Sequence, residues 1–260
     1  MKISYDARGL AEPDAQAPGT AKIEGEGPQR QAVFDAADLS TRQINLELRR
    51  LVYAEGITAV TIQNPGAKHS IAVGILTRCR ITIDGSLGYF GCGLIDGPEI
   101  QVNGRVGWSV AENMMSGVVV IGKNAGSLAG AALRGGDLVV RRDVGARTGI
   151  DQKGGTIIVG GNAGMMTGFM LQRGQQIICG NVGGGLGDSM YDGAIYVGGK
   201  VASLGVDCVE AELTSGDDEF LARKLRIYGM EPNASFRKFV CGQKLWNYDN
   251  LEPAERKLIL

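Results

Sequence analysis

Histidine is almost missing: His69 is the single copy in 260 residues. A lone imidazole removes most acid–base catalysis and most zinc chemistry, since such sites draw on several histidines or on histidine beside thiolates. Cysteine is sparse too. Its five copies (Cys79, Cys92, Cys179, Cys208 and Cys241) are scattered, without a C-x-x-C pair. An odd, unclustered set reads as reduced thiols at packed positions rather than a disulfide framework. Neither sign of charge is in excess: 27 Lys+Arg face 28 Asp+Glu, net −1. There is no basic surplus to neutralise phosphates, which argues against a nucleic-acid partner. No apolar run reaches the length of a membrane-spanning helix. Met1-Lys2-Ile3-Ser4-Tyr5-Asp6 meets an acid too early for a signal peptide. The expectation is a cytoplasmic chain.

What the chain has in abundance is glycine, 41 residues, about twice the ordinary ~7%. Hydrophobic content is 44%, so these glycines punctuate a chain that can bury a core. They also recur in phase. The pattern apolar-x-apolar-x-Gly appears as Ile81-Thr82-Ile83-Asp84-Gly85, as Ile100-Gln101-Val102-Asn103-Gly104 and as Val118-Val119-Val120-Ile121-Gly122. It returns at Ile157 to Gly161, Ile177 to Gly180 and Ile195 to Gly199, with a degenerate copy at Leu138 to Arg142 and a first copy at Ile62 to Gly66. The anchors 66, 85, 104, 122, 142, 161, 180 and 199 are separated by 19, 19, 18, 20, 19, 19 and 19 residues. A 19-residue unit with three glycine-marked corners and short apolar runs between them predicts one coil of a three-faced parallel β-helix. Each coil buries its apolar face only against its neighbours. The fold class is all-β, with about seven to eight coils. Val102, Val120, Val140, Val159 and Val197 are the expected inward stack.

The ends depart from this pattern. Residues 1–30 are polar, with Pro13, Pro18 and Pro28, and read as an extended arm. Thr41 to Ala54 carries Ile44, Leu48, Leu51 and Val52 on one face, and Ser40 or Thr41 can cap it as an amphipathic helix. A second helix is expected from Asp217 to Tyr228, stopped by Gly229. Phe236, Phe239, Trp246 and Tyr248 follow it. The division is therefore 1–55, an arm and capping helix; 56–210, the β-helix; and 211–260, a helix with an aromatic docking tail.

Candidate chemistry is thin. Gly117 to Asn124 matches G-x-x-x-x-G-K, but Asn124 stands where a phosphate loop needs Ser or Thr and no helical pattern follows. Gly91 to Asp96 and Gly183 to Asp188 read better as solenoid corners. His69 reads as a surface hydrogen-bond donor, and the cysteines as buried packing. Asp188-Ser189 and Glu112-Asn113 follow corners, where short polar side chains satisfy turn amides. Met114, Met115, Met165, Met166, Met170 and Met190 suit a soft core or an adaptable contact face. No catalytic, cofactor-binding or metal-binding residue is nominated. The rival class, an enzyme with its site on the outer face of the rod, requires clustered carboxylates. The acids at 84, 96, 99, 112, 137, 143 and 151 are too dispersed to nominate a pair.

Three strings, Val110-Ala111-Glu112-Asn113-Met114-Met115-Ser116-Gly117, Leu186-Gly187-Asp188-Ser189-Met190-Tyr191-Asp192 and Val201-Ala202-Ser203-Leu204-Gly205-Val206-Asp207-Cys208, resemble the GXGXG domain at the C-terminus of the large subunit of glutamate synthase. The resemblance covers roughly 55–215. Within that family the chain is most similar to the middle subunit of three-part N-methylglutamate synthase (methylamine–glutamate N-methyltransferase). The corresponding component of formylmethanofuran dehydrogenase shares the repeat with less of the corner wording. The resemblance implies a right-handed parallel β-helix acting as a structural subunit between an amidotransferase-like partner and an FMN-binding partner. It implies FMN and iron–sulfur clusters in that second partner and none in this chain. Stand-alone glutamate synthase and formyltransferase-hydrolase complexes are the alternative settings.

Overall fold

A computed structural model describes residues 18–25, 30–231 and 235–243. Strands β1 (Lys22–Glu24) and β2 (Gln31–Asp35) precede helix α1 (Thr41–Arg49), which continues into a π-helical turn, Arg50–Ala54. Then come β3 (Ala59–Gln63), β4 (Arg80–Asp84), β5 (Asp96–Val102), β6 (Ser116–Ile121), β7 (Asp137–Val140), β8 (Lys153–Val159), β9 (Arg173–Ile178) and β10 (Ala194–Val197). The chain closes with β11 (Cys208–Ala211), α2 (Ser215–Ile227) and β12 (Arg237–Cys241).

Strands β2 to β10 pair in parallel and in sequence order, forming a β-solenoid of about seven turns. Ile83 pairs with Val102, and the row continues through Ile121, Val140, Val159, Ile178 and Val197, each 19 residues on. A second wall of single bridges runs Leu87, Val106, Ala125, Val144, Ala163, Val182 and Val201 with the same step. Only the first turn is longer, Ile62 pairing with Ile83. Both rows are buried against the solenoid axis. The expected inward stack needs one correction. Val120 lies opposite Gln101 and Val139 in the outward row, and Ile121 takes its place inside. Gly122 precedes the corner position that Gly104 and Gly161 occupy by one residue, so anchoring on it shifts that coil by one.

The third wall is built differently. Alternate residues take left-handed backbone: Leu128 has φ 64°, Gly130 67° and Ala132 51°. Their N–H groups therefore point alternately to the next turn and the previous one. Leu128 donates forward to Ala146 O (2.9 Å), Gly130 back to Val110 O (2.8 Å) and Ala132 forward to Ile150 O (2.8 Å). Each non-glycine residue so placed costs ~1–2 kcal/mol, and stitching to both neighbours offsets it. Glycine is obligatory at the corner leading back to the sheet. A Cβ on Gly136 (φ 77°) would sit 2.3 Å from the Gly117 carbonyl oxygen.

Helix α1 closes the first turn. Ser40 and Gln43 form a reciprocal capping box, and Ile44 and Leu48 are fully buried. The helix also turns a polar stripe at four-residue spacing, Thr41, Asn45, Arg49 and Tyr53, toward the open wall. Thr41 Oγ1 donates to His69 O (3.2 Å), and Arg49 Nη2 donates to Val73 O (2.7 Å). Asn45 donates to Ser70 O (2.8 Å) and accepts from Ala72 N (2.9 Å), while Tyr53 Oη accepts from Leu76 N (2.7 Å). These side chains supply the bonds that a preceding turn would have made.

Antiparallel pairing is confined to the ends: β1 with β2, and β12 with both β10 and β11. Helix α2 lies on the outside of the sheet. The outward row changes from Thr61, Thr82 and Gln101 to Val120, Val139, Ile158, Ile177 and Tyr196, and Leu221 and Leu225 of α2 pack on the apolar part. Two carboxylates pin this helix. Asp217 accepts from Tyr196 Oη (2.6 Å) and Lys238 Nζ (2.9 Å), and Asp137 accepts from Lys224 Nζ (2.7 Å) and Tyr228 Oη (2.6 Å). Phe239 is fully buried and Phe236 nearly so. These two phenylalanines belong to the chain's own core and are not available for docking. Trp246 and Tyr248 lie outside the described residues.

Candidate docking surfaces

The residues singled out from the sequence are spread along the rod. The stretch Gly117–Asn124 is strand β6 running into a corner, with no helix after it. Gly91 to Asp96 and Gly183 to Asp188 are turns between strands. His69 is exposed, and its ring accepts a hydrogen bond at Nδ1 from the Tyr89 amide (2.9 Å) rather than donating one there. Asp188 accepts from Ser189 Oγ (2.8 Å) and from the Val206 amide (3.3 Å), the turn-satisfying role expected of it. Asn113 is one of the left-handed residues of the third wall.

Burial keeps the thiols protonated. It pushes Cys92 up to about 12 and Cys79, Cys179 and Cys208 up to about 11. Protonated, separated thiols do not fit iron–sulfur ligation, which needs converging thiolates. Among the described residues no three His, Cys, Asp or Glu side chains converge on a point that could hold a metal ion.

The methionines divide. Met114 and Met190 are core residues, whereas Met115 and Met165 are about half exposed. Met165 belongs to an outward row that begins His69, Tyr89, Trp108. His69 stacks on Tyr89 at 4.7 Å between centroids, and Tyr89 on Trp108 at 5.5 Å. Tyr89 (52% exposed), Trp108 (53%) and Leu94 (47%) share the third wall. Partly exposed Phe90, Leu128, Met166 and Phe169 lie on the same wall. A rigid wall with stacked aromatics and methionine is a contact surface by composition. Sequence reasoning flagged its members separately. The row becomes visible only once each turn is known to advance 19 or 20 residues.

Over 89 residues the chain is 38% identical to Protein GlxC of Rhizobium meliloti (strain 1021), a match taking in 34% of this chain and 39% of that protein. The chain thus spans about two fifths of the curated relative it matches. No protein-family model matches the chain. The match supports a glutamate synthase-like relationship and nothing finer. Among the described residues no helix is long and apolar enough to cross a membrane.

Proposed function

We propose that this chain is a structural subunit of a glutamate synthase-like complex, bridging an amidotransferase-like subunit and a subunit that carries FMN and iron–sulfur clusters. N-methylglutamate synthase, which joins methylamine to glutamate with release of ammonia, is the complex favoured by the corner strings. The observation that carries the reading is the row of half-exposed aromatic and methionine side chains on a wall whose backbone is stitched to the turns on both sides. Such a wall offers apolar contact area with little conformational entropy left to lose on binding. Support for the complex itself comes from the resemblance of the three strings and from the match to Protein GlxC.

The test is co-expression of this chain with one amidotransferase-like and one FMN-binding glutamate synthase-like chain. The three should be recovered together. Tyr89→Ser with Trp108→Ser should reduce recovery while leaving the melting temperature of the isolated chain within a few degrees, because both rings are half exposed. Stoichiometric flavin on the isolated chain, or a double variant that assembles as well as wild type, would overturn the reading.

A further inference from the structure

The corner between the main sheet and the bridge wall has a central row: Gly85, Gly104, Lys123, Arg142, Gly161, Gly180 and Gly199. Successive turns approach closely there. A Cβ on Gly104 would lie 2.2 Å from the Gly85 carbonyl oxygen, and one on Gly180 2.6 Å from that of Gly161. The row selects glycine on steric grounds, yet two consecutive turns carry Lys123 and Arg142. The bond from Lys123 N to Gly104 O lengthens to 3.2 Å, against 2.9 Å from Gly104 N to Gly85 O and from Gly180 N to Gly161 O.

Turn spacing of ~4.8 Å sets the two cationic side chains side by side, where like charges repel. Arg105, in the adjoining row on the turn before, adds a third. With Ser86 and Asn124 these residues line an open groove of about 550 Å³. All three cations are exposed, and none of their side chains makes an ion pair among the described residues. The nearby carboxylates are engaged along the rod. Asp84 accepts from Asn103 Nδ2 (2.5 Å), and Asp143 accepts from the Asn162 backbone (2.7 Å) and side chain (3.1 Å).

A row that abandons its steric rule to place two like charges together is spending stability on something other than the fold. We propose that this corner binds a carboxylate-rich segment of a partner protein, with Arg105, Lys123 and Arg142 as its cationic contacts. The three charges are strung over three turns, ~10 Å along the axis, instead of converging on one point. That spacing suits several carboxylates in series, such as Glu or Asp at i and i+4 of a helix, which recur every ~6 Å. It does not suit a single compact oxyanion. The inference is independent of which enzyme complex the chain belongs to.

Titrating the full chain with fluorescent hexaglutamate at low salt tests it, with hexaglutamine and tripolyphosphate as competitors. Lys123→Gln with Arg142→Gln keeps both Cβ atoms and removes both charges. Wild type should bind hexaglutamate, lose it at high salt and ignore hexaglutamine, and the double variant should bind roughly ten-fold or more weakly. At low salt the free variant should melt no lower than wild type, since repulsion has been removed. Equal binding by the variant overturns the proposal, as does displacement by tripolyphosphate with no hexaglutamate binding. A lower melting temperature for the variant does so as well, because it would show the cations stabilising the fold by themselves.

Discussion

At its first turn the solenoid meets an open edge with side chains; at its last it meets one with backbone. Helix α1 offers Thr41, Asn45, Arg49 and Tyr53 to the amides and carbonyls of residues 69–76. At the other end β12 runs antiparallel against β10, with Phe239 opposite Ile195, and β11 pairs with β12. Either device removes a row of unpaired groups that would template aggregation. The difference lies in how far each reaches. Side chains on one helix stripe satisfy a few groups at fixed spacing, whereas a strand satisfies a whole edge and adds its own apolar face. The C-terminal closure is extended further by α2, which covers the outward row from Val120 to Tyr196.

Breaking the middle should outweigh breaking either end. Val159 is fully buried in the inward row, and Val159→Asp strands a charge among aliphatic side chains, so cooperative melting should be lost; Val159→Ala should cost ~1–3 kcal/mol. A Val159→Asp protein that melts like wild type would sink the register. At the C-terminal end, Leu225→Ala should cost ~2–5 kcal/mol in thermal or denaturant melts. Its effect should concentrate on α2, with hydrogen exchange accelerating there before it does in β3 to β5. Asn45→Ala, at the N-terminal end, leaves the Ala72 amide and the Ser70 carbonyl unpaired, for ~1–3 kcal/mol. Exchange at Ala72 should rise while α2 stays protected. If each variant loosened both ends equally, the two closures would not be separate units.

The period, the solenoid and both helices were legible because a stacked fold repeats its steric demands every turn. Ser40 and Gly229 also marked their helix ends as capping chemistry requires. The phase at Val120 was not legible, because Gly122 imitates a corner glycine one residue early. Glycine phases could not reveal the third wall either, since Leu128, Met166 and Asp151 take left-handed backbone without being glycine. One readable signal went unused. From residue 118 onward the strands stop alternating, as in Val118-Val119-Val120-Ile121, and an apolar outer face implies a cover. The row His69, Tyr89, Trp108 was unreadable because the first turn is longer than the rest.

The smallest expected effect separates the two ends by acid. Glu47 at the N-terminal end and Asp217 at the C-terminal end are both buried carboxylates. Burial alone would raise their pKa values, but partners reverse the direction. Arg50 and the Gly19 and Ala21 amides lower Glu47, and Tyr196, Lys238 and Thr214 lower Asp217 much further. A folded-state pKa below the unfolded one means that the folded form binds fewer protons. The stabilisation is therefore complete above the ordinary carboxylate range, near pH 4, and is lost as pH falls through it toward the depressed value. Asp217, the more depressed, should lose more on acidification and go on losing it to lower pH. Asp217→Asn keeps an acceptor oxygen for Tyr196 and lacks the titration. It should melt below wild type at pH 7, and the two curves should converge between about pH 4 and pH 2. Glu47→Gln should show the same convergence over a narrower span. Parallel melting curves for Asp217→Asn and wild type across that range would mean that the carboxylate between α2, β10 and β12 contributes no charge-dependent stability, leaving the C-terminal closure to rest on Leu221, Leu225 and Phe239.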